Sequence, residues 1–170
     1  MKGKVWKYGD NVNTDVIFPG KYTYTPLTPE EMASHALEDL DPEFARLVRP
    51  GDVIVAGRNF GCGSSREQAA ICLKAAGIQA VIARSFARIF FRNAINQGLP
   101  VFVQEEVVAD LNQGDEVELN LEAGELVSGG RQWRLPPLPS MVLEIIRAGG
   151  LIPYTRQKLA VSKSNEGKRE

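Results

Sequence analysis

Asp52-Val53-Ile54-Val55-Ala56-Gly57-Arg58-Asn59-Phe60-Gly61-Cys62-Gly63-Ser64-Ser65-Arg66-Glu67 is the stretch that decides the fold. Residues 52–56 form an apolar run of strand length, which reads as a buried strand. The run delivers the chain to a glycine-rich loop at 57–63, and residues 64–76 then read as a helix closed by Gly77. Ser64 with Glu67 three residues on has the form of a capping box, placing the helix start at Ser64. Residues 80–83 read as a strand, 86–97 as a helix ended by Gly98, and 101–103 as another strand. Strand, helix, strand, helix, strand over 52–103 makes an α/β layer.

Upstream of this layer, residues 3–8 form a strand-like stretch and Gly9-Asp10-Asn11 a turn. Asn13-Thr14-Asp15 leads into the apolar Val16-Ile17-Phe18, and Pro19-Gly20 breaks the chain. Residues 20–27 carry two tyrosines and no charge beyond Lys21, which suits a half-exposed loop. Thr28-Pro29-Glu30-Glu31 predicts a capped helix start. The stripe Met32, Ala33, Ala36, Leu37 and Leu40 extends that helix to a stop at Asp41-Pro42. Downstream, residues 116–121, 125–127 and 132–135 are short, turn-separated strands of an antiparallel or mixed sheet, and 139–148 a final helix. Residues 1–155 thus make one domain, and the polar segment 156–170 reads as a frayed, flexible tail.

The composition narrows the function. With 170 residues and 44% apolar side chains, the chain can bury one real core. Twenty basic against 21 acidic residues give a net charge of −1, which argues against nucleic acid as a partner. No apolar run approaches the roughly 20 residues that span a bilayer, and no secretory signal opens the chain, so the expected location is cytoplasmic. Cys62 and Cys72 read as free thiols. Two thiols and one histidine, His35, cannot furnish a tetrahedral metal shell or the ligands of an iron–sulfur cluster, so no metal or cofactor is expected on this chain.

The loop at 57–67 is the strongest candidate for chemistry. Gly61 and Gly63 permit positive φ and close backbone approach, and a helix start supplies free N–H groups for an anion. Arg66 can clamp a carboxylate or phosphate. The same pattern also serves as plain packing, and it matches neither a Walker loop nor G-x-G-x-x-G. Ser64 acting as a base needs its alkoxide stabilised by the helix, by N–H groups and by Arg66, since His35 reads as an ordinary helix residue. Asn13-Thr14-Asp15 either brings a carboxylate to the loop or makes an Asx-turn at a strand start. Arg84, Arg88 and Arg92 recur at helical spacing, as a solvated face or an interaction surface.

Three motifs then match one family in order and spacing: Asp10-Asn11-Val12-Asn13-Thr14-Asp15, the 57–67 loop, and Ala83-Arg84-Ser85-Phe86-Ala87-Arg88-Ile89-Phe90-Phe91-Arg92-Asn93. Over roughly residues 1–155 the chain resembles the small subunits of the 3-isopropylmalate dehydratase and homoaconitase group, equivalent to the swivelling domain of aconitase. The resemblance implies a single swivelling β/β/α domain, a mixed sheet with flanking helices. It implies a hydro-lyase of leucine biosynthesis, active only with a large subunit that carries a [4Fe-4S] cluster, and a small dicarboxylic hydroxy acid as substrate.

By the same resemblance Ser64 takes and returns the carbon-bound proton, Ser65 and Arg66 hold the substrate, and Asp15 matches an active-site aspartate. Aconitase-like relatives use an arginine in the loop corresponding to Lys21, Tyr22, Thr23, Tyr24 and Thr25, where this chain has none. That favours an apolar group on the substrate, as in isopropylmalate, while Lys21 keeps homocitrate or homoaconitate open, and 2,3-dimethylmalate follows. A stand-alone anion-binding module is the non-enzyme alternative. The tail and the Arg84, Arg88 and Arg92 stripe are the candidates for contact with the large subunit, and self-association of the isolated chain is the other open mode of assembly.

Overall fold

The computed structural model describes residues 2–166. Seven strands, β1 (Lys2–Lys7), β2 (Val53–Ala56), β3 (Ala80–Ala83), β4 (Val101–Val103), β5 (Glu116–Asn120), β6 (Glu125–Ser128) and β7 (Arg131–Arg134), form one sheet in the order β4-β3-β2-β1-β5-β6-β7. The first four are parallel, and β5, β6 and β7 are antiparallel. β1 joins the halves: Lys2 to Lys4 pair with β5, and Val5 to Lys7 pair with β2. This is the mixed sheet expected from the resemblance.

Burial follows the strand period of two. Trp6, Ile54, Ala56, Val81, Ala83 and Val101 face one core, which is covered by α1 (Thr14–Ile17), α2 (Pro29–Ala33), α3 (Phe44–Leu47), α4 (Glu67–Ala75) and α5 (Arg88–Gln97). Val5, Val53, Val55, Ala80, Ile82 and Phe102 face a second core. There they meet Val117, Leu119, Leu126 and Trp133 from the antiparallel half and Val107 and Val108 of α6 (Glu105–Asp110), so the sheet curls over itself. The central strands are buried on both faces, which is why β2 and β3 read as unbroken apolar runs. Asp52 is buried at the start of β2 and accepts from the Lys4 N–H, the Trp6 indole and the Arg49 N–H, locking β1 to β2.

Several local expectations need correction. Asn13-Thr14-Asp15 does make an Asx-turn, with Asn13 accepting from the Asp15 N–H, but it opens the helical turn α1 rather than a strand. The Thr28–Glu31 capping box is present, yet α2 ends at Ala33. Leu37 sits at φ +58° and donates its N–H to the Ile17 carbonyl, so a tertiary contact stops the helix that periodicity extends. α4 starts at Glu67 with Arg66 in the cap position and no side-chain cap, so Ser64 is not the cap. The short helices α3 and α6 have no counterpart in the sequence reading.

At the other end, α7 (Ser140–Ala148) stops at the left-handed Gly149. The segment beyond Tyr154, expected to fray, continues as helix in α8 (Leu151–Glu166). Its Lys158 reaches Glu144 of α7 at 3.2 Å and lies over the Tyr154 ring. Residues 167–170 of the expected tail lie outside the described residues.

Candidate active site

The loops that follow β1, β2 and β3 all leave the carboxyl ends of parallel strands, so one edge of the sheet gathers the three sequence motifs. In open α/β sheets that edge is where ligands bind. The first two loops run on side by side past the sheet. Gly57 donates to the Gly9 carbonyl, Asn11 to Arg58 and Gly61 to Val12, and Thr14 donates its N–H to Cys62 at 2.8 Å. Side chains reinforce the pairing, since Asp10 accepts from the Arg58 N–H and Asn59 donates to Asn11.

Two glycines make this approach possible. Gly61, at φ +77°, leaves no room for a Cβ, which would lie 2.2 Å from the Phe90 ring. Gly63, at φ +92°, packs against the Asn13 side chain, and a Cβ there would come within 2.5 Å of Oδ1.

This frame presents Ser64 and Ser65 exposed at the surface. The buried Thr14 donates its hydroxyl to the Ser64 carbonyl at 2.7 Å, fixing the loop from beneath. The N–H groups of Ser64, Ser65 and Arg66 make no hydrogen bond among the described residues, so three successive donors face outward for an anion. The sequence reading put these donors on a helix end. The structure puts them in the loop just before it, with the α4 terminus one step behind.

Arg66 is the mostly buried cation of the group, with 17% of its side chain exposed. Its Nε lies 2.6 Å from Asp15 Oδ1 in an ion pair not aligned as a hydrogen bond, and its other end donates to the Thr23 hydroxyl. Gly20 leaves room beside the guanidinium. The structure therefore brings Ser64, Ser65, Arg66, Asp15 and Thr23 together. It does not bring in Lys21, which pairs with Glu38 at 2.5 Å. Tyr22 stacks on His35 with ring centroids 3.9 Å apart, Tyr24 is 98% exposed, and Thr25 is exposed.

Thr14 and Glu38 were not singled out from the sequence. Thr14 lies in a motif whose acidic neighbour drew the attention, and nothing in the pattern around Glu38 marks it.

The two cysteines are placed apart. Cys72 is fully buried, burial raises its thiol pKa well above normal, and its Sγ donates to the Ile17 and Ala69 carbonyls. Cys62 lies apart in the loop, half-buried. Among the described residues no group of three or more His, Cys, Asp or Glu is placed to hold an ion. No helix among them is long and apolar enough to cross a membrane. A cavity of about 730 Å³ lined by Lys2, Trp6, Arg49, Asp52, Gln113 and Glu118 lies at the opposite edge of the sheet, so the serine loop is an open ledge outside it.

The fold is thus a curled mixed sheet with a serine–arginine ledge at the carboxyl edge of its parallel strands. The chain belongs to the aconitase C-terminal domain family, whose model matches residues 10–106. A curated relative, the 3-isopropylmalate dehydratase small subunit of Thermodesulfovibrio yellowstonii, is 51% identical over 95% of this chain and 96% of its own. The methanogen homoaconitase small subunit of Methanothermobacter thermautotrophicus is 52% identical over 91% of this chain and 89% of its own. A crystal structure of 3-isopropylmalate dehydratase from Methanocaldococcus jannaschii superposes with a TM-score of 0.89 at 44% identity, over 96% of this chain and 98% of that one.

Proposed function

We propose that the chain is the small subunit of a 3-isopropylmalate dehydratase, a hydro-lyase that interconverts 2- and 3-isopropylmalate with a large-subunit partner. The observation that carries this is the exposed Ser64 in a loop whose N–H groups at 64–66 have no partner among the described residues, next to Arg66, in a chain about half identical over nearly its whole length to a subunit of that name. The family's [4Fe-4S] cluster would be held by the large subunit, where it would supply Lewis acidity toward the substrate hydroxyl.

This chain supplies the proton chemistry. Ser64, as alkoxide, takes the proton from the carbon next to the hydroxyl-bearing one, and hydroxide leaves to give the unsaturated dicarboxylate. A water then adds its hydroxyl at the other carbon, its remaining proton neutralising the hydroxide released before, and Ser64 returns its proton where the hydroxyl had been. The free loop N–H groups offset the alkoxide charge by preorganised dipoles, and the start of α4 lies just beyond them. Arg66 pairs with a substrate carboxylate, a role for which its exchange partners are already Asp15 and Thr23. Tyr22, Thr23, Tyr24 and Thr25 offer no guanidinium to a third carboxylate, which supports the isopropyl substrate over homocitrate; Lys21, drawn to Glu38, supports it further.

The test is anaerobic reconstitution with the large subunit encoded in the same genome, following absorbance of the unsaturated intermediate. Isopropylmalate is expected to turn over, homocitrate not, and Ser64→Ala to remove turnover by at least about a thousandfold. Turnover of homocitrate at the higher rate would reassign the substrate to the homoaconitase type.

A further inference from the structure

Beside the serine ledge, at the carboxyl ends of β3 and β4, lies a shallow groove of about 350 Å³ lined by Ser85, Phe86, Arg88, Phe91, Arg92 and Val103. Its apolar side chains are open to solvent, Phe91 being 37% exposed and Val103 49%. Phe86 continues inward to the buried Phe60 and Phe90, so the exposed rings are the rim of a rigid aromatic stack. Arg88 and Arg92 are exposed and enter no ion pair among the described residues.

The groove is stitched to the ledge. The Asn59 N–H donates to the Ser85 hydroxyl at 2.8 Å, the Phe60 N–H to the Ser85 carbonyl, and the Ala87 N–H to the Phe60 carbonyl. Gly61, two residues before Gly63, presses on the Phe90 ring. The groove and the loop that carries Ser64 are therefore parts of one hydrogen-bonded surface at this edge.

We infer that this groove is a docking surface for the large subunit, which sets an apolar side chain against Phe86, Phe91 and Val103 and acidic side chains opposite Arg88 and Arg92. The inference rests on the proposed function, because the large subunit is the body that must cover Ser64. An apolar, aromatic centre rimmed by arginine is the composition of a protein interface. A second copy of this chain fits poorly, since a two-fold contact through the groove would bring two sets of unpaired arginines together.

The experiment measures the dissociation constant between the full chain and the cluster-loaded large subunit, at two salt concentrations, with melting curves to verify folding. Arg88→Glu with Arg92→Glu is expected to weaken binding about tenfold or more and to flatten the salt dependence. Phe91→Ala is expected to weaken it with the salt dependence kept, and Arg156→Glu, on the exposed face of α8, to leave it unchanged. Folded arginine variants that bind like wild type, or an equal loss from Arg156→Glu, would overturn the inference, as would wild-type chain that pairs with itself and not with the large subunit. Ser64→Ala separates the two readings. If it still turns over while the arginine variants lose binding, the base assignment fails and the docking surface stands.

Discussion

Arg66 is doubly committed, to Asp15 by charge and to Thr23 by hydrogen bond, so its guanidinium is held flat and ready before any substrate arrives. A lysine would keep the charge and lose the planar fork that matches a carboxylate. Arg66→Lys in the reconstituted enzyme is expected to lower kcat/KM by about tenfold to a hundredfold, chiefly through KM, in steady-state assays. Gly63 carries a different burden, because its φ of +92° and its contact with Asn13 leave no place for a methyl group. Gly63→Ala is expected to cost about 2 kcal/mol in urea denaturation and to lower activity further by displacing Ser64. A variant as stable and as active as wild type would show that the loop is not held in this conformation.

Loop 20–25 is built around Glu38, which accepts from both Lys21 and His35 while Tyr22 stacks on the His35 ring. Burial alone would raise the Glu38 pKa, but hydrogen bonds from Lys21, His35 and Tyr22 outweigh it and hold the carboxyl below its ordinary value. A carboxylate lowered in the folded state stabilises the fold above its unfolded pKa and loses that contribution as pH falls through the folded value. The loop is therefore expected to loosen as pH falls through and below the ordinary carboxylate range. Hydrogen exchange of the 20–25 amides across that range would show it, and Glu38→Gln should reproduce the loosening at neutral pH. Protection that is flat with pH would sever the loop from Glu38. None of this was legible in the sequence, because Glu38 meets Lys21 only after the chain has turned at Leu37, and a positive φ at leucine obeys a tertiary bond rather than a local rule. The same cause hid the true start of α4: the carbonyl of Ser64 is claimed by Thr14, 50 residues away in sequence, and the helix begins only beyond it. What the sequence did reveal, β2 through β4 with their two helices, rests on short apolar runs, buried on both faces in β2 and β3, and there local pattern and tertiary demand agree.

At the scale of the molecule, the fold separates stability from chemistry. The two cores lie on opposite faces of one sheet, and the site occupies the carboxyl edge, where three loops are tied to each other by backbone hydrogen bonds and anchored in one core through Val12, Phe60 and Phe90. The C-terminal helix is peripheral to both. The last core side chain along the chain is Ile145, and Gly150 is the last buried residue among those described. Beyond Thr155 the described side chains are exposed, Leu159 at 58% and Val161 at 60%, and Lys158 joins Glu144 only at the surface. Deleting residues 156–170 is therefore expected to lower Tm by no more than about 3 °C and to leave the urea m-value unchanged, because no core surface is newly exposed. Cutting before Ser140 removes Ile145 as well as the α7 packing on α5 and the Gly149 carbonyl that receives Lys74, and should lower Tm well beyond that. If the shorter deletion alone collapsed the m-value or the melting transition, α8 would have to be counted as part of the cooperative fold, and the boundary near residue 155 would be wrong.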